Sequence, residues 1–341
     1  MNSPSLSELA RSGGRYFGTA ARIGDIEADS ALCAAVVRDC DYLTPEIHLK
    51  WDALEFARGE LNFSPADDLL QFAQRHGQQL RGHTLLWEQS TPAWAKREIL
   101  ASRDWSLVAG HFDRVLSRYR GRIGEWDVVN EPIDTERGTD GLRATCFYRA
   151  FGPDYVERAL REARALDPGA RLLVNDYGFE YENPVDEARR TAFVNLLRRL
   201  KDAGAPLDGV GLQAHLDLAK GRIRPASIER FVHAIADLGL DVTITEFDVK
   251  ERDDPASDHA RDERVAEHAR EYLDIVLAQP AVRGLVTWGL SDKYSWLSNS
   301  AAQAGAAPRL NRGLPYDDAF APKRMYAAIA DALTSAPARR S

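Results

Sequence analysis

The chain has 341 residues, 44% hydrophobic and 28% charged, with a formal net charge of −8. It can bury one large core, has no apolar run long enough to span a bilayer, and lacks the broad basic face that binding phosphates requires; Arg198-Arg199 reads as a solvated helix face. Cys33, Cys40 and Cys146 form neither a CxxC pair nor a zinc spacing and read as reduced thiols.

Residues 1–15 read as an N-terminal extension without the apolar core of a secretory signal. With the odd cysteine count this points to the cytoplasm, unless a leader has been removed, and a monomer is expected. Short runs of strand character then recur at the spacing of βα units: Tyr16–Ala20, Tyr42–Ile47, Leu80–Trp87, Glu125–Asn130, Arg171–Tyr177, Gly209–His215, Asp241–Phe247 and Gly284–Leu290. Trp126-Asp127-Val128-Val129 and Leu172-Leu173-Val174 are nearly continuous in apolar character, which suits parallel strands covered on both faces.

Helical patterns lie between these runs. Ser64-Pro65-Ala66-Asp67 offers a capping serine, a proline in the first turn and an acid beside it, ahead of the stripe Leu69, Leu70, Phe72 and Ala73; Gly77 ends the pattern. Gly152-Pro153 opens the next (Val156, Ala159, Leu160, Ala163), closed by Pro168-Gly169. Phe193, Leu196, Leu197 and Leu200 form a third stripe ending near Gly204, and Phe231, Val232, Ile235 and Leu238 a fourth ending at Gly239. Ser298–Arg309 reads as a mobile loop and 336–341 as a tail.

Eight strands alternating with helices form either an open doubly wound sheet or a closed barrel. The polar residues favour closure. Glu46, Trp87, Asn130-Glu131, Asp176-Tyr177, Gln213 with His215, Glu246 and Trp288 stand at the ends of the strand-like runs, and only a barrel brings nearly every strand end to one mouth. There is no GxGxxG or GxxxxGK[ST] phosphate loop for the alternative. The expected fold is α/β, a single (β/α)8 barrel over 16–335.

Cleaving a glycosidic bond needs a proton for the leaving oxygen and stabilisation of an oxocarbenium-like centre, which two carboxyl groups supply. Glu131 and Glu246 each follow a strongly apolar strand and so sit on rigid elements at the mouth. One such glutamate would ordinarily be a solvated loop residue; two of them, with Asn130 and His215 in attendance, suggest catalysis. His83, His215 and Asp248 lack HxH or HExxH spacing, and no metal or cofactor is expected. Trp51, Trp94, Trp105 and Trp126 read as core, and His48, His76, His111, His233, His259 and His268 as surface or cap residues.

Seven stretches, Gly82-His83-Thr84-Leu85-Leu86-Trp87, Trp126-Asp127-Val128-Val129-Asn130-Glu131, Asn175-Asp176-Tyr177, Gly211-Leu212-Gln213-Ala214-His215, Ile244-Thr245-Glu246-Phe247-Asp248, Thr287-Trp288-Gly289-Leu290 and Pro322-Lys323, resemble in order the motifs of glycoside hydrolase family 10, the endo-β-1,4-xylanases. The resemblance implies retaining hydrolysis of xylan or xylo-oligosaccharides by double displacement, with Glu246 as nucleophile, Glu131 as general acid/base and coupled titration of the two. It further implies that His215 and Asp248 orient the nucleophile. Asn130 would bind the 2-hydroxyl of the sugar being cleaved, and Gln213 would lie near Glu246. Glu46, Lys50, His83 and Tyr177 would complete the sugar contacts, and Trp87, Trp288 and Trp296 would wall the pocket, favouring a pentose.

The chain departs from that family's pattern at Ile47, where an amide is usual, at Glu88 and Ser90, where histidine and glutamine are usual, and at Gly178, where asparagine is usual. These positions belong by resemblance to the glycone side, so a preference for short oligosaccharides is expected. Pro132 after Asn130-Glu131 also resembles the wider clan of barrel cellulases and mannanases, the alternative enzyme reading; an inactive carbohydrate-binding barrel is the alternative from another class.

Overall fold

The computed structural model describes residues 4–251, 256–298 and 310–339. Among the described residues, nine parallel strands are present: β1 (Tyr16–Ala21), β2 (Tyr42–Pro45), β3 (Gln79–Leu86), β4 (Glu125–Asn130), β5 (Arg171–Asp176), β6 (Gly209–Leu212), β7 (His215–Asp217), β8 (Asp241–Lys250) and β9 (Val282–Thr287). They follow the order β6-β5-β4-β3-β2-β1-β9-β8-β7, and pairing of β6 with β8 closes eight of them into a barrel. The short β7 lies outside that ring, paired with the last residues of β8 (His215↔Asp248, Asp217↔Lys250).

β1, β4 and β6 are buried along their whole length. Three expected helical stripes are wholly buried: Leu69, Leu70, Phe72 and Ala73 on Ser64–Arg75, Val156, Ala159, Leu160 and Ala163 on Tyr155–Leu166, and Phe193, Leu196, Leu197 and Leu200 on Pro184–Asp202; of the fourth, Phe231, Val232 and Ile235 are buried on Pro225–Ala236, whereas Leu238 lies past the helix end and is half-buried. Gly82 in β3 exists because the Trp126 ring fills the space beside it; a Cβ there would stand 2.0 Å from the ring. The barrel interior also carries charge. Arg81, fully buried, donates to Glu125 at 2.7 Å and Asp127 at 2.8 Å, and Tyr16 donates to Glu125 at 3.0 Å.

Several local expectations change. Gly209–His215 is not one strand: it breaks after Leu212, where Ala214 takes a left-handed φ of 58°, and resumes as β7. Gly152 ends helix Cys146–Phe151, with a φ of 80°, rather than opening the following helix. Within the stretch read as an extension, Leu6–Ser12 is a helix with a Ser5/Glu8 capping box; Leu6 and Ala10 are buried, and it packs on the C-terminal helix Arg324–Ser335. Arg15 then donates to the carbonyls of Leu277, Val282 and Pro337 beneath the barrel. His111 and His268 are buried rather than superficial. His111 stacks on Trp51 at 4.0 Å and reaches the Leu85 carbonyl, and His268 hydrogen-bonds Tyr181 at 2.9 Å. Trp51, Trp105 and Trp126 are core, while Trp94 is only partly buried. Cys33, Cys40 and Cys146 are free thiols. The expected loop beyond Ser298 lies outside the described residues up to Arg309. No helix among the described residues is long and apolar enough to cross a membrane.

Candidate active site

The strand ends converge on a cleft of about 680 Å³ lined by Glu46, Lys50, His83, Trp87, Asn130, Glu131, Tyr177, Gln213, His215, Glu246, Trp288 and Trp296. Asp248, the remaining residue singled out in the sequence, is fully buried behind them. Among the described residues, no group of three or more His, Cys, Asp or Glu side chains is arranged to hold a metal.

Glu246 lies within β8, and both its carboxylate oxygens are engaged. Asn175, on β5, donates to Oε1 at 2.7 Å, and His215 Nε2 stands 3.2 Å from Oε2. Burial alone would raise the Glu246 pKa, but the hydrogen bond from His215, the fields of His83 and His215 and the Asn175 amide bring it down to about 2. The imidazole of His215 is held from behind by Asp248 Oδ1 at 2.9 Å, and Trp296 Nε1 donates to Oδ2 of the same carboxylate at 2.7 Å. Burial pushes the His215 pKa down, but Asp248 and Glu246 outweigh it and carry it well above the usual imidazole range. An imidazolium therefore donates to two carboxylates at once.

Glu131 follows the last residue of β4 with a φ of 55°, the left-handed region, which costs of order 1–3 kcal/mol for a residue other than glycine. Its N–H donates to the Asn175 carbonyl at 2.8 Å. Gln213 Nε2 stands 3.2 Å from its Oε1 and 3.3 Å from Asn130 Oδ1, and Asn175 Nδ2 donates to that same Asn130 oxygen at 2.8 Å. Asn175 thus links the two carboxyl residues, a part that sequence reasoning missed although the residue sits inside a recognised motif. Its own Oδ1 accepts from Thr245 at 2.7 Å and occupies the space left by Gly211, where a Cβ would lie 2.1 Å from it.

On one wall, Lys50 Nζ stands 4.8 Å from the centre of the Trp87 ring and 5.8 Å from that of Trp288. His83 is fixed by Asp127, 2.9 Å from its Nδ1, and lies edge-on to Trp288. Glu46 accepts from Arg22 at 2.6 Å. On the other wall, Tyr177 takes a hydrogen bond from Arg143 at 3.1 Å and has the Arg189 guanidinium 4.2 Å from its ring centre. Arg189 also donates to Asp176 at 2.6 Å; burial nevertheless pushes that carboxyl up to about 7.

The departures from the family pattern separate in space. Ile47 and Gly178 line the cleft. Glu88 and Ser90 do not: Glu88 accepts from the Cys146 N–H at 2.8 Å and lies 3.6 Å from Lys96, while Ser90 is buried and its carbonyl takes the Asp52 N–H. The expectation that both belong to the sugar-binding wall is corrected, because Glu88 is tied to the helices Ala93–Ser102 and Cys146–Phe151 and Ser90 to the helix Trp51–Leu54. Gln89, between them, faces the cleft instead, its Nε2 3.5 Å from Glu131 Oε2. Gly178 has a φ of 77°, and a Cβ there would stand 2.8 Å from Arg189 Nε, so the guanidinium occupies the space a side chain would need.

The profile of glycosyl hydrolase family 10 matches residues 5–332. The chain is 34% identical over 333 residues to an endo-1,4-beta-xylanase of Agaricus bisporus, spanning 96% of this chain and 93% of the relative. It is 35% identical over 300 residues to endo-1,4-beta-xylanase B of Thermotoga neapolitana, spanning 86% and 80% respectively. Among solved structures, it is similar to native xylanase 10B from Thermotoga maritima, with a TM-score of 0.84 and 33% identity over 96% of this chain and 98% of that one. Xylanase 10B from Thermotoga petrophila RKU-1, solved in complex with xylobiose, is similar at a TM-score of 0.84 and 32% identity, with 98% of each chain covered.

Proposed function

Because the chain belongs to glycosyl hydrolase family 10 and is a glycoside hydrolase, we propose that it cleaves β-1,4-xylosidic bonds in xylan or xylo-oligosaccharides with retention of configuration. The observation that carries this reading is the convergence of Glu131 and Glu246 on one cleft, with His215 and Asn175 each within hydrogen-bond reach of a different carboxylate oxygen of Glu246. In the first step Glu246 attacks the anomeric carbon as Glu131 gives its proton to the departing oxygen. In the second, Glu131, now a carboxylate, takes a proton from the water that displaces Glu246. Asn130, held by Asn175 and Gln213, is placed to meet the 2-hydroxyl, a contact that gains strength as positive charge grows on the ring. Trp288 and Trp296 offer flat walls against which a pentose packs more easily than a hexose.

The finer preference for short oligosaccharides rests on Ile47, which presents an apolar surface to the glycone wall beside Glu46 and Lys50. One absent neutral hydrogen bond weakens binding of a second glycone sugar by about 0.5–1.5 kcal/mol, roughly two- to twelve-fold. The reading is tested by hydrolysis of an aryl β-xylobioside beside the matching aryl β-cellobioside, with the first-formed anomer followed by NMR. A β-anomer from the xylobioside at the higher kcat/KM is expected. Preference for the cellobioside would overturn the substrate class, and an initial α-anomer the mechanism.

A further inference from the structure

The backbone of Glu131 is in a conformation that its own residue type and its neighbour both oppose. A left-handed φ of 55° is disfavoured for glutamate, and Pro132 after it biases the preceding residue toward extended geometry. Something outside the β4 strand must hold this turn, and Arg143 holds three successive carbonyls of it. Its Nε donates to the Glu131 carbonyl at 2.9 Å, its backbone N–H to that of Pro132 at 2.7 Å, and its Nη2 to that of Ile133 at 3.2 Å. Nη2 also donates to the Tyr177 hydroxyl at 3.1 Å, which anchors the guanidinium to the cleft wall. The guanidinium stays 3.9 Å from Glu131 Oε2, beyond hydrogen-bond reach, so it grips the peptide and leaves the reactive oxygen free. Asp134 lies 4.0 Å from it, Asp176 also acts on it, and Arg189 donates to the same Ile133 carbonyl at 3.2 Å.

We propose that Arg143 is a positioning residue for proton transfer: by clamping the left-handed turn after β4 it aims the Glu131 carboxyl at the glycosidic oxygen. This rests on the assignment of Glu131 as the acid. A clamp of this kind matters where a proton must be delivered and is idle where the leaving group departs without one. It also requires the planar fork of arginine, whose donors reach separate carbonyls; a lysine restores the charge near Glu131 but not the grip.

The test compares kcat/KM, which reports the first step, for aryl β-xylobiosides with a phenol and with a 2,4-dinitrophenol leaving group, in the wild type, Arg143→Gln and Arg143→Lys. Both variants should lose roughly a hundredfold or more on the phenyl substrate, the lower range of what general acid catalysis contributes, and less than about threefold on the dinitrophenyl substrate. An equal loss on both substrates, as from general damage to the fold, overturns the inference, and so does no loss on either. Full recovery in Arg143→Lys overturns it as well, by assigning the effect to charge. Should Arg143→Gln fail to fold, the lysine variant carries the comparison alone against the wild type. A wild type that turns over neither xylobioside would instead defeat the proposed function.

Discussion

Asn175 donates to Oε1 of Glu246 at 2.7 Å, across 71 residues of sequence. The bond orients one lone pair of the nucleophile, and through Asn130 the same amide reaches the part of the site that meets the sugar. Hydrogen bonds to a charged partner contribute about 1.5–3 kcal/mol, so Asn175→Ala should lower kcat/KM roughly ten- to a hundredfold. Gly211→Ala should act in the same direction, since its Cβ would collide with Asn175 Oδ1. Steady-state kinetics on an aryl xylobioside check both; unchanged activity in both variants would show that the link is dispensable.

The two carboxyl groups should separate by leaving group. Glu131→Ala should still form the glycosyl-enzyme from an activated aryl glycoside, with azide accelerating its turnover in place of activated water, whereas Glu246→Ala should be inactive in either assay. Identical behaviour of the two variants would remove the assignment, and exchanged behaviour would reverse it.

The His215–Glu246 pair gives stability its own pH window. Glu246 is depressed to about 2, so its contribution is present above the ordinary carboxylate value near 4.5 and fades as pH falls toward 2. His215 is raised, so its contribution is full below about 6.5 and is lost as pH rises through its elevated folded value. The difference in thermal midpoint between the wild type and His215→Asn should therefore be largest from about pH 4.5 to 6.5 and shrink on the acid side. A difference that does not vary with pH would contradict the paired ionisation.

Restoring an amide on the glycone wall should restore the gain from a second sugar. Ile47→Asn is expected to raise the ratio of kcat/KM for aryl xylobioside over aryl xyloside by roughly two- to twelve-fold, whereas Ser90→Gln should leave it unchanged because Ser90 is buried outside the cleft. A larger response at position 90 than at 47 would return the missing contact to the loop after β3.

Glu131 and Glu246 were legible because an acidic residue that directly follows an apolar run is conspicuous and because motifs surround both. Asn175 was not, since a neutral side chain at the end of a strand looks the same whether it serves packing or a nucleophile. Arg143 lies twelve residues beyond Glu131 in a loop without periodicity. His111 was misread for a different reason: its imidazole counts as polar, yet it sits on the stripe of Val108, Phe112 and Val115 that the helix buries. Glu88 and Ser90 show the limit of motif position, because neighbouring side chains on an irregular loop can face in unrelated directions.

Periodicity, turn residues and apolar runs act over a few neighbours, and they determined the order of strands and helices and the end of the barrel that carries the chemistry. Which side chains touch was decided by closure of β6 on β8 and by single backbone angles. The left-handed turns at Glu131 and Ala214 redirect the chain just where it leaves β4 and β6. Residue type alone disfavours those angles, so they persist only through bonds from distant segments, such as Asn175 and Arg143 to Glu131, that form when the barrel is assembled.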